Sequence, residues 1–207
     1  MKCGKRFYII IAIKTPEDHN LKVFSAMKLK CIHDIRLQPE RAEMEEKMDI
    51  RRAQEKDMDR INELLRQVCM VHHKGRPDLF KGNNNRKYTD SQLREIIHDS
   101  RRPVFVAVDE SENVLGYAFC IFQQHLNDNI LTDIKTLYID DLCVDETIRG
   151  QHIGKKLYES VLKFAKEQGC YNVTLNVWSC NEAAMKFYEK CGLKPQKVGM
   201  EMILSAR

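Results

Sequence analysis

Apolar residues recur along this chain in two alternating rhythms, and the switches between them lay out its elements. A short strand is expected at Asp49 to Arg52. Met58, Ile61, Leu64, Leu65 and Val68 then follow at helical spacing, predicting a helix over Asp57 to His72 with one buried stripe. Gly75 to Lys87 is rich in Gly, Asn and basic residues and reads as a loop. Thr89 with Gln92 has the form of a capping box, Leu93, Ile96 and Ile97 supply the apolar side of a second helix, and Pro103 is expected to end it.

The rhythm then changes to strands. Val104 to Val108 and Val114 to Phe122 are β-branched and aromatic runs around a polar turn, Asp109 to Asn113, and predict an antiparallel hairpin. A third strand is expected at Lys135 to Val144. Ile153, Leu157, Val161, Leu162 and Ala165 predict a helix over Gly154 to Gln168, with Gly169 as its stop. Val173 to Trp178 is the next expected strand. Ser179 and Glu182 look like a second capping pair, opening a helix with Ala184, Met185, Phe187 and Tyr188 that stops at Gly192, and Met200 to Leu204 can supply a last strand. This order predicts a mixed α/β fold over 48–207. Residues 1–47 read as an extension, helical or partly disordered around Glu40 to Lys47.

Composition narrows the function classes. The 207 residues, 43% of them hydrophobic, can bury one substantial core. The 34 basic residues are scattered among 30 acidic ones, which argues against a nucleic-acid binder with its concentrated basic face. The eight cysteines form no C-x-x-C pair, so they read as reduced thiols of a cytoplasmic protein, with no metal site expected. Phe7 to Ile13 is too short to span a bilayer. Lys2, Lys5 and Arg6 before it have the look of a signal peptide, but no small-x-small cleavage pattern follows.

The candidate chemistry lies at Arg149 to Lys155, R-G-Q-H-I-G-K, between an expected strand and an expected helix. A helix start offers unpaired N–H groups and partial positive charge, and glycines let a phosphate approach the backbone. The spacing fits neither a Walker loop nor the G-x-G-x-x-G dinucleotide fingerprint. Taken alone, the string is explained as well by a plain tight turn before a helix.

Two longer strings are more specific. Asp140 to Leu157, D-D-L-C-V-D-E-T-I-R-G-Q-H-I-G-K-K-L, and Asn181 to Leu193, N-E-A-A-M-K-F-Y-E-K-C-G-L, together resemble the paired motifs of the Gcn5-related N-acetyltransferases. The resemblance covers about Met48 to Leu204. It implies a mostly antiparallel twisted sheet, splayed at a cleft for acetyl-CoA and flanked by helices. In that arrangement Leu142, Cys143 and Val144 pair with the pantetheine arm, and the backbone of Arg149, Gly150, Gln151, His152, Ile153, Gly154 and Lys155 holds the pyrophosphate. Asn181 would bind the pantetheine side; its position reads equally as a helix cap. Tyr188 would protonate the departing thiolate. His152 stands where the pattern has its second glycine; a negative φ is expected there, with the imidazole facing solvent.

The string Y-I-D-D-L-C-V resembles the matching strand of diamine and polyamine acetyltransferases, which implies that Asp140 meets a primary amine. Neighbours on a strand point to opposite faces, so only one of Asp140 and Asp141 is expected to face the cleft. Cys143 invites a covalent reading, but no His or Asp stands at a relay spacing. Enzymes of the family that act on protein N-termini often carry Glu where Asn176 stands. The resemblance also implies that the acceptor pocket is built after the first helix, where His72, His73 and the loop Gly75 to Lys87 stand, while the histidines themselves read as a surface helix end and not a metal site. The expected activity is acetyl transfer to a small-molecule amine, with protein N-terminal or lysine acetylation, or acetyl-CoA sensing without turnover, as alternatives. A homodimer is implied only by the resemblance.

Overall fold

A computed structural model describes residues 48–82 and 86–204, and the expected extension 1–47 lies outside them. Five strands form one sheet in sequence order: β1 (Asp49–Arg52), β2 (Val104–Val108), β3 (Val114–Gln123), β4 (Thr136–Val144) and β5 (Asn172–Leu175). Neighbours are antiparallel except β4 and β5, which are parallel. Helices cover both faces: α1 (Met58–Gly75) and α2 (Asp90–His98) on one, α3 (Ile153–Glu167) and α4 (Glu182–Lys190) on the other.

The alternation of β-strand side chains sorts the core into two layers. Val104, Val106, Val108, Tyr117 and Phe119 pack under α1 and α2 against Ile61, Leu64, Leu65, Leu93 and Ile96. Phe105, Ala107, Ala118, Cys120, Leu137 and Ile139 pack on the other face against Leu157 and Val161 of α3. Each fully buried Leu or Ile contributes about 1.5–3 kcal/mol relative to exposure. β2, V-F-V-A-V, is buried at every position because both its faces are covered.

The elements follow the expected order, with differences at several of their ends. A short 3-10 turn, Glu55–Asp57, precedes α1, because Asp57 is committed to Arg51 and the Gln54 N–H. α1 then runs to Gly75, three residues past the expected end at His72, so His72 and His73 both lie within its last turn. The Thr89/Gln92 capping box opens α2 as expected, but α2 ends at His98 and not at Pro103, since Asp99 turns the chain by accepting from the Arg101 N–H at 2.8 Å. β5 stops at Leu175, well short of Trp178. α4 is capped by Asn181, whose Oδ1 accepts from the Ala184 N–H at 3.2 Å, in place of the expected Ser179. Met200 to Leu204, expected as a last strand, has no regular structure, and Met200, Met202 and Leu204 are exposed. Glu201 is held there by Arg76 at the end of α1.

Candidate active site

β4 and β5 pair only from Thr136↔Asn172 to Ile139↔Leu175. Beyond Ile139, residues Asp140 to Val144 keep β3 on one side and have no strand on the other among the described residues. The sheet opens into a cleft at that point, as the resemblance implied.

At the mouth of the opening β4 carries a bulge. Ile139 pairs with Cys120 and Asp141 with Phe119, leaving Asp140 as an extra residue. A bulge breaks the two-residue period. Ile139 therefore points into the α3 layer, while Cys143, at the same parity, points into the α1 layer. Asp140 and Asp141 consequently share the α1 face, and the expectation that only one of them faces the cleft is corrected. The Lys87 ammonium bonds both carboxylates, at 3.1 Å to Asp140 Oδ2 and 3.3 Å to Asp141 Oδ2.

The two carboxylates differ in surroundings. Asp141 is the deeper, with its side chain 9% exposed against 28% for Asp140. The Tyr117 hydroxyl donates to Asp141 at 3.2 Å and the Tyr88 hydroxyl to Asp140 at 3.4 Å. Burial pushes the Asp141 carboxyl above the usual carboxylate range, and Lys87 offsets only part of that. Burial alone would favour a neutral Lys87 amine, but the carboxylates and Tyr88 outweigh it and hold the ammonium above the ordinary lysine range.

An aromatic wall stands on the same side. His72 packs on Phe80 with centroids 4.9 Å apart, and Phe80 meets Trp178 edge-on at 5.1 Å. Burial lowers the His72 pKa, so its ring is neutral near pH 7. Asn176 donates to the Tyr138 hydroxyl at 3.2 Å. On the far side of β4, Tyr188 projects from α4 against Phe187 and Tyr158. Burial, reinforced by the negative field of Asp141, raises its phenol pKa well above 10, so it keeps its proton at neutral pH.

Cys143 offers backbone only. The residue is 4% exposed, its thiol lies 3.8 Å from the Leu64 carbonyl, and burial pushes its pKa up to about 12, so it is no nucleophile at neutral pH.

The loop after β4 is a cradle of backbone. Asp145 fastens its start through the Thr147 N–H and an ion pair with Arg60 of α1, and Gln67 accepts from the Glu146 N–H at 3.1 Å. Arg149 folds back to donate to the Val144 carbonyl at 3.3 Å. Gly150 has φ +87 with open space where a Cβ would stand. His152 has φ +61, not the negative value expected, and its side chain is exposed. The chain thus keeps the left-handed turn that the glycine pattern requires even with a side chain there. Ile153, Gly154 and Lys155 begin α3, so their N–H groups precede the first intrahelical bond, Lys156 N–H to His152 carbonyl at 3.0 Å. Ile153 is anchored in the core, Lys155 is exposed, and the buried Gln151 Oε1 has no hydrogen-bond partner. A Cβ on Gly154 would stand 3.5 Å from Val144 and 3.6 Å from Phe187, which shows how closely β4, α3 and α4 converge.

The sequence profile of the acetyltransferase (GNAT) family matches residues 70–193. The chain belongs to that family. Among solved structures, a mutant of the BH1408 protein from Bacillus halodurans is 32% identical with a TM-score of 0.73, covering 76% of this chain and 99% of that one. A glucosamine 6-phosphate N-acetyltransferase of Arabidopsis thaliana is 38% identical over 66 residues, which span 32% of this chain and only 42% of that enzyme. N-alpha-acetyltransferase 30 of Schizosaccharomyces pombe is 28% identical over 131 residues, 63% of this chain and 78% of that enzyme. In this GNAT acetyltransferase the opening between β4 and β5 has His72 of α1, and Lys87 and Tyr88 from the turn ahead of α2, beside the β4 carboxylates.

The resemblance points to His72 and to the loop that ends at Lys87 as acceptor-pocket positions, but neither Tyr88 nor Tyr117, nor the pairing of Lys87 with two carboxylates, is marked by the sequence pattern. Lys87 meets Asp140 across 53 positions of chain, and no spacing rule spans that distance.

Proposed function

We propose that this protein transfers the acetyl group of acetyl-CoA to a primary amine of a small molecule by direct attack. The observation that carries the reading is the bulge at Asp140, which turns two carboxylates to one face where β4 loses its partner. A protonated amine, with a pKa of about 10, needs both a negative charge to bind it and a base to free its lone pair. Asp140, the more exposed, is placed to meet the ammonium; Asp141, with its raised pKa, is placed to take the proton, directly or through a water. The new N–C bond forms as the C–S bond breaks, and Tyr188 returns a proton to the leaving sulfur.

The cradle fits the donor. Gly150 and His152 hold a left-handed path that keeps backbone N–H groups accessible, and the α3 N-terminus favours an anionic diphosphate. Gly150 to Lys155 would hold the pyrophosphate, Leu142 to Val144 would pair with the pantetheine arm, and the Val144 N–H would polarise the thioester carbonyl. Asn181 serves α4 as its cap and has its Oδ1 engaged there, so we assign it to shaping the α4 end of the cleft. The relatives named for glucosamine 6-phosphate support a small-molecule acceptor; the relative named as an N-alpha-acetyltransferase keeps a peptide N-terminus as the rival.

A thiol-release assay with acetyl-CoA tests this directly, using a panel of amino sugars, polyamines, amino acids and N-terminal peptides. Release with a small amine and not with peptides supports the proposal. Release with peptides alone would transfer the assignment to protein N-termini, and acetyl-CoA binding without release on any acceptor would point to a sensor.

A further inference from the structure

The acceptor side of the cleft already contains an amine of the protein's own. Lys87 comes from the turn ahead of α2, and its Nζ lies between the two carboxylates that an incoming ammonium needs. Its aliphatic stem lies beside Tyr88, whose ring the ammonium approaches to 5.4 Å, and Tyr88 in turn packs on Phe119. The Lys87 side chain is 32% exposed, so one end of this ion pair opens to solvent. Structural lysines that bridge two carboxylates are common. This one sits where, among the described residues, β4 passes from paired strand to free edge.

We propose that Lys87 is a displaceable internal cation that occupies the acceptor's ammonium seat and must be exchanged for it before acetyl transfer. The inference rests on the acceptor placement in the preceding subsection. Its consequence is a charge filter. A cationic amine replaces Lys87 with little net electrostatic change, whereas a neutral or anionic molecule would leave Lys87 seated and the carboxylates blocked. Lys87 itself is a poor acetyl acceptor while seated, since its paired ammonium has no free lone pair. Displacement moves Lys87 outward with its charge, so an acceptor bearing an acidic group elsewhere gains a counter-ion at the mouth of the cleft.

Competitive amine labelling read by mass spectrometry tests this on the wild-type protein without acetyl-CoA. The measured quantity is the ratio of Lys87 to Lys186 modification; Lys186 is a surface lysine with its side chain 68% exposed. In plain buffer the ratio should be low. It should rise several-fold in the presence of butylammonium chloride and stay unchanged in sodium chloride at equal ionic strength; the internal ratio cancels reagent consumed by the added amine. A ratio near one in buffer, or an equal response to both salts, would overturn the proposal. Once an acceptor is found, Lys87→Met should lower its KM roughly three- to tenfold, the scale of one partly buried ion pair, with the change in KM and not in kcat. A raised KM would make Lys87 a binding group and refute the exchange. Because the labelling needs no turnover, its failure and a failure of the acetyl-transfer reading remain separate results.

Discussion

The cradle and the acidic pocket adjoin one another along β4 and its following loop, yet they are built by opposite means. The cradle is backbone: a left-handed turn at Gly150 and His152 and the open N–H groups of α3, with its side chains mostly outside. The pocket is side chain: Asp140 and Asp141 from β4, Lys87 and Tyr88 from the approach to α2, Tyr117 from β3 and His72 from α1. A backbone site suits what a class of ligands shares, here the diphosphate of the proposed donor. A side-chain site reads charge and shape, so under the proposed function the pocket is where specificity would be decided.

That contrast predicts where substitutions separate chemistry from binding. The largest effect is expected from Tyr188→Phe, which removes the proposed acid. Turnover should fall by about 10²–10⁴ while acetyl-CoA affinity, measured by calorimetry, stays within about twofold. A sensor would show the same binding with no turnover to lose, and unchanged turnover would remove Tyr188 from the mechanism.

Asp141→Asn should come next, lowering kcat/KM about a hundredfold, with the loss in the acceptor-dependent parameters. Its pH profile is the sharper reading. The base must be ionised, and burial raises the Asp141 pKa, so wild-type kcat/KM should climb as pH rises through a value above the ordinary carboxylate range. The variant should lose that limb. A wild-type profile flat down to pH 4 would show that Asp141 is not the base.

Smaller effects belong to the cradle. Gly150→Ala forces a Cβ into a left-handed conformation with no steric neighbour, so it should weaken acetyl-CoA about five- to tenfold through backbone strain alone, leaving acceptor KM unchanged. His152→Gly should do the reverse to the fold. It relieves a left-handed side chain, raising stability by about 1 kcal/mol in a denaturant titration. A destabilised His152→Gly protein would mean that the imidazole makes a favourable contact the exposed geometry does not suggest.

The same contrast explains what could be read in advance. The cradle is local, six or seven consecutive residues between a strand and a helix, so its position is legible in the string, while the ligand expected there comes from the resemblance. The elements around it followed from periodicity for the same reason. The pocket depends on a bulge that shifts one residue of β4, and a bulge leaves no mark in a run such as Y-I-D-D-L-C-V. Alternation therefore separated Asp140 from Asp141, where the fold joins them. Lys87 is legible only as part of a loop that the resemblance assigns to the acceptor pocket, and its pairing with Asp140 is not, because its partners come from a strand far along the chain. At Met200 to Leu204 an apolar stretch is expected to supply a strand, but apolar residues alone do not provide a neighbour to pair with, and the segment lies exposed.

The central claim, that the free edge of β4 and the α3 cradle receive the donor beside the acidic pair, is tested most directly by backbone amide NMR during titration with acetyl-CoA. The account predicts that the largest shifts cluster at Leu142, Cys143, Val144 and Gly150 to Lys155, with a smaller response at Asp141. Saturable shifts confined to another surface, such as the groove between β1 and α3 lined by Ile50, Glu159 and Lys163, with the β4 edge unmoved, would contradict it.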